Sequence, residues 1–258
     1  MTAVGRRIGI ILTAAWLPVL LIAWWWVASA NSQDPFFPPL SQIWDQFQIN
    51  WVFAQVPVHV VPSLRNLFSG LILGTAIGLI GGAYLGVSRT AARYVEPVID
   101  FLRSIPPVAT VPVFILIFGL DASMRVAAIT FSAMFPVLLA TIQGVRSTDA
   151  TLMDTAKVFH LTPTQVLWRV RMPRAGPTIF AGLQLALQVG FVVTIASELL
   201  GSGFGLGAFT LIATQSFMIL DAWTGVILLG LLGYVLNLGF DGIERVVLRW
   251  YYSQKKIA

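Results

Sequence analysis

Residues 126–197 consist of VAAITFSAMFPVLLATIQGV, then RSTDATLMDTAKVFHLTPTQVLWRVRMPR, then AGPTIFAGLQLALQVGFVVTIAS: two uncharged runs separated by a polar, basic segment, Arg146–Arg174. Each run is long enough to cross a bilayer, since about 20 helical residues span the hydrocarbon core. In lipid a segment must satisfy its own backbone hydrogen bonds, so both runs are helices and not strands. Outward from this pair the pattern repeats at Ile8–Ala30, Asn66–Val87, Ser104–Leu120 and Ala222–Phe240. The chain is 57% hydrophobic and only 10% charged, with mean hydropathy +0.82. The expectation is an all-α polytopic membrane protein, one membrane domain over residues 1–258, with six transmembrane helices near 8–30, 66–87, 98–120, 126–145, 175–198 and 222–240.

A seventh uncharged run, Leu199–Leu220, is a poor span. Its first third carries Gly201, Gly203, Gly205 and Gly207, which weaken a continuous helix. The remaining 13 residues, Ala208–Leu220, suit a re-entrant or interfacial element. Charge supports six. With both termini cytoplasmic, 14 of the 16 Lys and Arg fall inside and only Arg65 and Arg125 lie outside. A seventh span would carry Arg245, Arg249, Lys255 and Lys256 across the membrane. This topology accounts for the net charge of +5, so nucleic acid is not needed to explain it. Without cysteine there is no disulfide or thiol chemistry. Arg6-Arg7, the apolar stretch behind them and Ala28-Ser29-Ala30 imitate a signal peptide, but the stretch is about twice a typical h-region. With Trp24, Trp25 and Trp26 as an interfacial anchor, it reads as an uncleaved first span. The proline-rich stretch Asn31–Ser63 is then external, and Trp44 and Trp51 in its amphipathic piece, Ile43–Phe53, point to a helix at the membrane surface.

Within Arg146–Arg174 the local signals are specific. Asp149 to Phe159 is expected as a first helix with Asp149 as its N-cap. The chain breaks at His160-Leu161, and Thr162, Pro163 and Gln165 form a second start: N-cap, first-turn proline and the closing residue of a capping box. Val166, Leu167 and Val170 give the second helix an apolar stripe, and Pro173 and Pro177 bracket entry into the following span. The expected result is a helix-turn-helix projecting into the cytoplasm, with small residues on one exposed edge.

The stretch Asp154–Pro173 closely resembles the EAA segment of permease subunits of ABC importers, written EAA-x3-G-x9-I-x-L-P. Asp154, Thr155 and Ala156 stand at the EAA positions, Val170 at the Ile, Met172 at the Leu and Pro173 at the Pro. His160 replaces the Gly, at a position where His tolerates positive φ better than most residues. Arg103-Ser104-Ile105-Pro106-Pro107, the following VATVPVFILIFGLD, the later MFPVLLATIQGVRSTD and ELLGSGFGLGAF from Glu198 resemble the nitrate/sulfonate/taurine branch, over roughly Pro62 to Trp250. The resemblance implies a type I ABC importer permease fold in a bacterial inner membrane. It implies two ATP-binding subunits that hold ATP and Mg, a second permease copy (most simply a homodimer) and an extracytoplasmic substrate-binding protein. Asp154 to Pro173 would dock the ATPase. The permease would bind no cofactor or metal and hold no catalytic residue; no GxxxxGK[ST], zinc-ligand cluster or nucleophile elbow occurs.

Candidate pathway residues are polar groups in apolar spans. Gln184, Gln188 and Glu198 fall within about 80° of one another at about 100° per residue, so they share one face of the fifth helix. Intramembrane ionisable groups are costly and mark functional sites, although Glu198 at the outer boundary and a Gln pair acting between helices are alternatives. Arg103 joins the set, three residues from Asp100 and placed to pair with it. Gly70, Gly74, Gly78, Gly81, Gly82 and Gly86 recur along the second run and point to close packing.

Two other classes compete with the permease reading. An ATP-independent secondary transporter would show inverted repeats and broken helices with midplane ion ligands, and only the Gly-rich piece after Glu198 hints at these. A membrane enzyme would need clustered catalytic side chains, whereas His59 lies outside and His160 inside. The solute expected from the resemblance is a sulfonate or taurine, then nitrate, a vitamin precursor or an aromatic acid.

Overall fold

The structure, a computed structural model, describes residues 3–201 and 203–254. The described residues form helices and no strand: α1 (Ala3–Ser29), α2 (Leu40–Gln48), α3 (Val61–Val87), α4 (Arg89–Arg103), α5 (Val111–Phe118), α6 (Ala122–Arg146), α7 (Ala150–Val158), α8 (Pro163–Val166), α9 (Met172–Leu199), α10 (Leu206–Gln215), α11 (Ile219–Val247) and α12 (Arg249–Gln254). Stretches of π-helix occupy Ile49–Ala54, Val56–Val60 and Leu167–Arg171, and a 3-10 turn covers Pro107–Thr110. Among the described residues four helices are long and apolar enough to cross a membrane: Val56–Val87, Ala122–Arg146, Pro163–Leu199 and Ile219–Val247. There are five if the pair Arg89–Arg103 and Pro107–Phe118 counts as one span, bent by 89°. The third expected span is therefore not a straight helix over 98–120. Pro106 and Pro107 supply no amide to the preceding turn, so α4 stops and the chain changes direction. The Gly-rich seventh run holds only the short α10, as its composition requires.

The chain divides into two compact units. The first comprises the described residues up to Val56 together with Thr210–Ile227. Here Trp25 packs against Phe37 and Trp223, with ring centroids 6.2 and 5.4 Å away, and Trp223 Nε1 donates to the Phe36 carbonyl at 3.1 Å. Ser29, fully buried, accepts the Leu40 amide at 3.1 Å. Trp44 is exposed and stacks on Phe47, whereas Trp51 is buried; only Trp44 keeps the surface position expected for both.

The second unit, Pro57–Phe209 with the described residues from Leu228 on, is centred on α6. α3 lies along one side of α6 through glycines at every fourth position. A Cβ added at Gly70 would meet Ile129 Cβ at 2.6 Å, at Gly74 the Thr130 carbonyl at 2.8 Å, at Gly78 the Met134 carbonyl at 2.8 Å, at Gly82 Thr141 Cβ at 2.6 Å and at Gly86 Val145 Cβ at 2.8 Å. Gly81, off that line, would meet only Leu138 Cδ1 at 3.4 Å. On the side of α6 that meets α9, Gly144 takes Ala175 at 2.7 Å and Gly182 takes the Pro136 carbonyl at 2.8 Å. Helices in lipid gain nothing from expelling water between them, so such close backbone approach is what holds them. α4 lays its apolar face, with Ala92 and Ile99, on Leu85, Phe135, Leu138 and Ile142. Glu96 on α4 pairs with Arg146 at 2.8 Å.

The glycine line gives an unequal pair of substitutions. Gly78→Ala overpacks the α3–α6 contact and costs about 1–3 kcal/mol, while Gly81→Ala is nearly neutral; thermal unfolding in mild detergent reads both. Equal melting temperatures for the two variants would contradict this packing.

Candidate functional site

The segment between α6 and α9 folds largely as its capping residues dictate. Asp149 accepts the Thr151 amide at 3.0 Å and starts α7. α7 stops at His160, whose φ of 51° is left-handed. The Leu161 amide donates to the Ala156 carbonyl at 3.0 Å and the His160 amide to Lys157 at 2.9 Å, which is the Schellman closure. Thr162 then opens α8 with a complete capping box: its hydroxyl accepts the Gln165 amide at 3.4 Å, and Gln165 Oε1 accepts the Thr162 amide at 2.9 Å. The expected separate second helix does not end before the span. α8 passes through the π stretch Leu167–Arg171 into α9, one helix of 37 residues from Pro163 to Leu199. Pro173, with no amide to give, comes two residues after the end of the π stretch, where the regular ladder is already interrupted.

The EAA-position residues do not share one exposed edge. Asp154 is exposed and pairs with Lys157 at 2.8 Å, and the exposed Thr155 returns its hydroxyl to the Thr151 carbonyl at 2.8 Å. Ala156 is buried at 3% exposure, which corrects its expected place on an exposed edge. Its carbonyl accepts the Leu161 amide in the Schellman closure. Val170 is half-buried, Pro173 is exposed, and Met172 with Leu167 packs against Val145, Ala175 and Ile179. What α7 and its end present outward instead is Leu152, Val158 and Phe159, the last two 75% and 72% exposed. The sequence signal for these was present: large apolar residues placed among charges in a segment expected to face water.

The pathway candidates are not brought together. Gln184 Nε2 donates to Asn237 Oδ1 at 3.0 Å and to Asp241 Oδ1 at 3.1 Å, both on α11. Gln188 is exposed on the side of α9 that also exposes Leu185 and Val192. Arg103 is exposed, pairs with Asp100 at 2.9 Å, and borders a mainly apolar cavity of about 200 Å3 with Phe131, Ser132, Leu185 and Val189. Glu198 is separate from all three and 1% exposed. Its Oε1 accepts the Ser63 hydroxyl at 2.6 Å and its Oε2 the Gly207 amide at 2.9 Å, while Ser63 Oγ accepts the Leu206 amide at 3.0 Å. A carboxylate from α9 and a hydroxyl from α3 thus cap the first amides of α10. The chain can close over this knot only where it has no side chain. A Cβ on Gly205, which has φ 108°, would fall on the Glu198 carboxylate, and one on Gly207 would meet the Ile195 carbonyl at 2.6 Å. His59 Nδ1 lies 3.0 Å from the Gly205 carbonyl, and the buried Arg125 interacts electrostatically with Glu198. Among the described residues no group of three or more His, Cys, Asp or Glu is placed to hold a metal.

An all-helical chain of apolar spans, with a rigidly capped polar element fused to one of them, is built as a membrane transport subunit. Residues 70–251 match the family described as binding-protein-dependent transport system inner membrane component, and the chain belongs to that family. It is similar to the taurine transport system permease protein of Escherichia coli (strain K12), 28% identical over 91% of this chain and 88% of that one. A putative aliphatic sulfonates transport permease protein of Bacillus subtilis (strain 168) is 31% identical over 76% of this chain and 71% of its own. A bicarbonate transport system permease protein of Synechococcus elongatus is 30% identical over 74% and 69%. In fold it resembles an inward-facing MetNI methionine ABC transporter, with TM-score 0.65 and 22% identity over 73% of this chain and 94% of that one. The chain is the permease subunit of an ABC importer for small solutes, an integral inner-membrane transport component and not an enzyme. Its family works with ATPase and substrate-binding partners.

Two substitutions test the caps. Glu198→Ala orphans the Gly207 amide at about 1–3 kcal/mol, while the Ser63 hydroxyl keeps the His59 carbonyl, 2.9 Å away, as its acceptor. That loss should show as a lower melting temperature; an unchanged one would mean that Glu198 does not hold α10. His160→Val puts a β-branched side chain at positive φ and should destabilise the end of α7 by about 1–2 kcal/mol, whereas His160→Gly keeps the turn. Hydrogen exchange at the Leu161 amide reads this effect, and equal protection in the two variants would contradict it.

Proposed function

We propose that the chain imports a small organic anion of the sulfonate class, delivered by an external binding protein and driven by two ATP-binding subunits that carry ATP and Mg. The permease would act with a second copy of itself, with six spans, both termini cytoplasmic, in a bacterial inner membrane. Relatives named for taurine and aliphatic sulfonate transport support the solute class. The distribution of Lys and Arg supports the sidedness. The side of α9 carrying Leu185, Gln188 and Val192 is our candidate lining of the path. An amide exposed to hydrocarbon would be costly, so this side faces water or the second copy. Arg103, with the adjoining cavity, is the cation along it.

The observation that carries the reading is the construction of the coupling segment from Asp154 to Pro173. A short helix closed at both ends, α7, presents Val158 and Phe159 outward and is joined through α8 to one continuous helix that reaches Leu199. A movement of the ATPase applied to Val158 and Phe159 passes through the His160–Thr162 turn, which the Schellman bonds and the capping box close, into the helix from Pro163 to Leu199, because packed elements shift as units. Asp154, Thr155 and Lys157 supply polar register around that contact, and Ala156, His160, Val170 and Met172 hold the element's shape. The test is copurification of the ATP-binding subunit from the protein's own cells. Phe159→Asp should lose the ATPase while keeping the wild-type melting temperature, and Leu199→Ala, at the far end of α9, should keep it. Full retention of the ATPase by Phe159→Asp contradicts the assignment.

A further inference from the structure

Among the described residues only two non-glycine residues have positive φ, His160 and Phe217. Phe217, with φ 56°, closes α10 in the same manner as His160 closes α7. The Met218 amide donates to the Ala213 carbonyl at 2.9 Å and the Phe217 amide to Thr214 at 3.2 Å. Glycine meets this geometry without strain, and an aromatic residue does not. The ring gains no packing in return: Phe217 is 75% exposed and Met218 beside it 53%. A bulky apolar side chain held in strained backbone and directed outward has its partner outside the chain.

The surroundings of Phe217 describe that partner. Phe217 and Met218 line an open groove of about 590 Å3 together with Asp34, Gln42, Gln46 and Asp221. Asp221 is fixed in place, since Gln46 Nε2 and Asn50 Nδ2 each donate to its Oδ1 at 2.7 Å. The stretches 31–56 and 210–227, which build the groove, carry Asp34, Asp45 and Asp221 and no Lys or Arg, in a chain of net charge +5. An exposed aromatic anchor beside rigid carboxylates is the composition of a protein-binding hot spot with electrostatic selection. The same negative charge repels anionic lipid headgroups, so the membrane surface is the poorer occupant.

We infer that this groove is the docking site for the substrate-binding protein of this importer, through a lobe surface that presents Lys or Arg around an apolar depression receiving the Phe217 ring. The inference rests on the reading above that this end of the molecule is extracytoplasmic. Its test uses the permease–ATPase complex in nanodiscs, titrated with the importer's own substrate-binding protein, fluorescently labelled. Wild-type affinity should fall as salt rises. Phe217→Gly should weaken binding by about ten-fold or more while the melting temperature holds or rises, because glycine relieves the backbone. Asp34→Lys should also weaken binding and flatten its salt dependence. A structural cap alone would leave the affinity of Phe217→Gly untouched, so wild-type affinity in both variants overturns the docking site. A nitroxide on Met218→Cys reached by oxygen and not by a nickel chelate places the groove in lipid and overturns it as well. A wild-type complex that binds no such protein would contradict the assembly itself, which is distinct from normal wild-type binding with unaffected variants.

Discussion

The structure depends on backbone-to-backbone contact around α6. α3 approaches it through Gly70, Gly74, Gly78, Gly82 and Gly86, and Gly144 and Gly182 bring α6 and α9 equally close. In lipid no hydrophobic force draws helices together, so their association needs the dispersion and weak polar contacts that only small residues allow at this separation. The three helices set the positions of what matters at each end. α6 leads into the Arg146–Arg174 segment, α9 receives it, and Ser63 on α3 meets Glu198 on α9 at the far end of the same helix.

Both ends depend on helix termini whose backbone groups are satisfied. Near Arg146 the caps are sequential, with Asp149, the His160 turn and the Thr162 box following one another along the chain. At the Glu198 end the cap is tertiary, because the amides of α10 are met by a carboxylate and a hydroxyl from two other helices. A sequential cap fixes a shape locally, whereas a tertiary cap ties three helices and holds only while they stay in register. This difference suits a rigid lever at one end and an element that responds to helix movement at the other.

Much of this was legible in the sequence. The capping box at Thr162, the N-cap at Asp149 and the turn at His160 each need only residues within a few positions, and the structure has all three. The glycine line was legible as a packing surface, but its partner α6 was not, since spacing names a face and not what covers it. Three features required tertiary information. Ala156 is small, which permits either exposure or close burial, and only the packed structure shows that it is buried. Angular arithmetic put Gln184, Gln188 and Glu198 on one side of α9, yet over 28 residues that side changes neighbours from α11 to α10. The continuity of α8 with α9 contradicts the usual effect of Pro173, because a π stretch just before it absorbs the missing bond. The exposed Val158, Phe159 and Phe217 went unread because an apolar residue among polar ones is ordinarily assigned to a core.

The proposed coupling requires α7, α8 and α9 to move as one lever. Since the chain has no native cysteine, spin labels on Val158→Cys and Val192→Cys report a single intramolecular distance in transporter assembled with an excess of unlabelled permease. Pulsed electron resonance would compare that distance in the nucleotide-free and ATP-trapped transporter. A rigid lever gives one distance distribution in both states, even as the separation between Val158 and a label on α3 changes. A Val158–Val192 distance that shifts between states would place a hinge at the His160–Thr162 turn or in the Leu167–Arg171 stretch and contradict the lever.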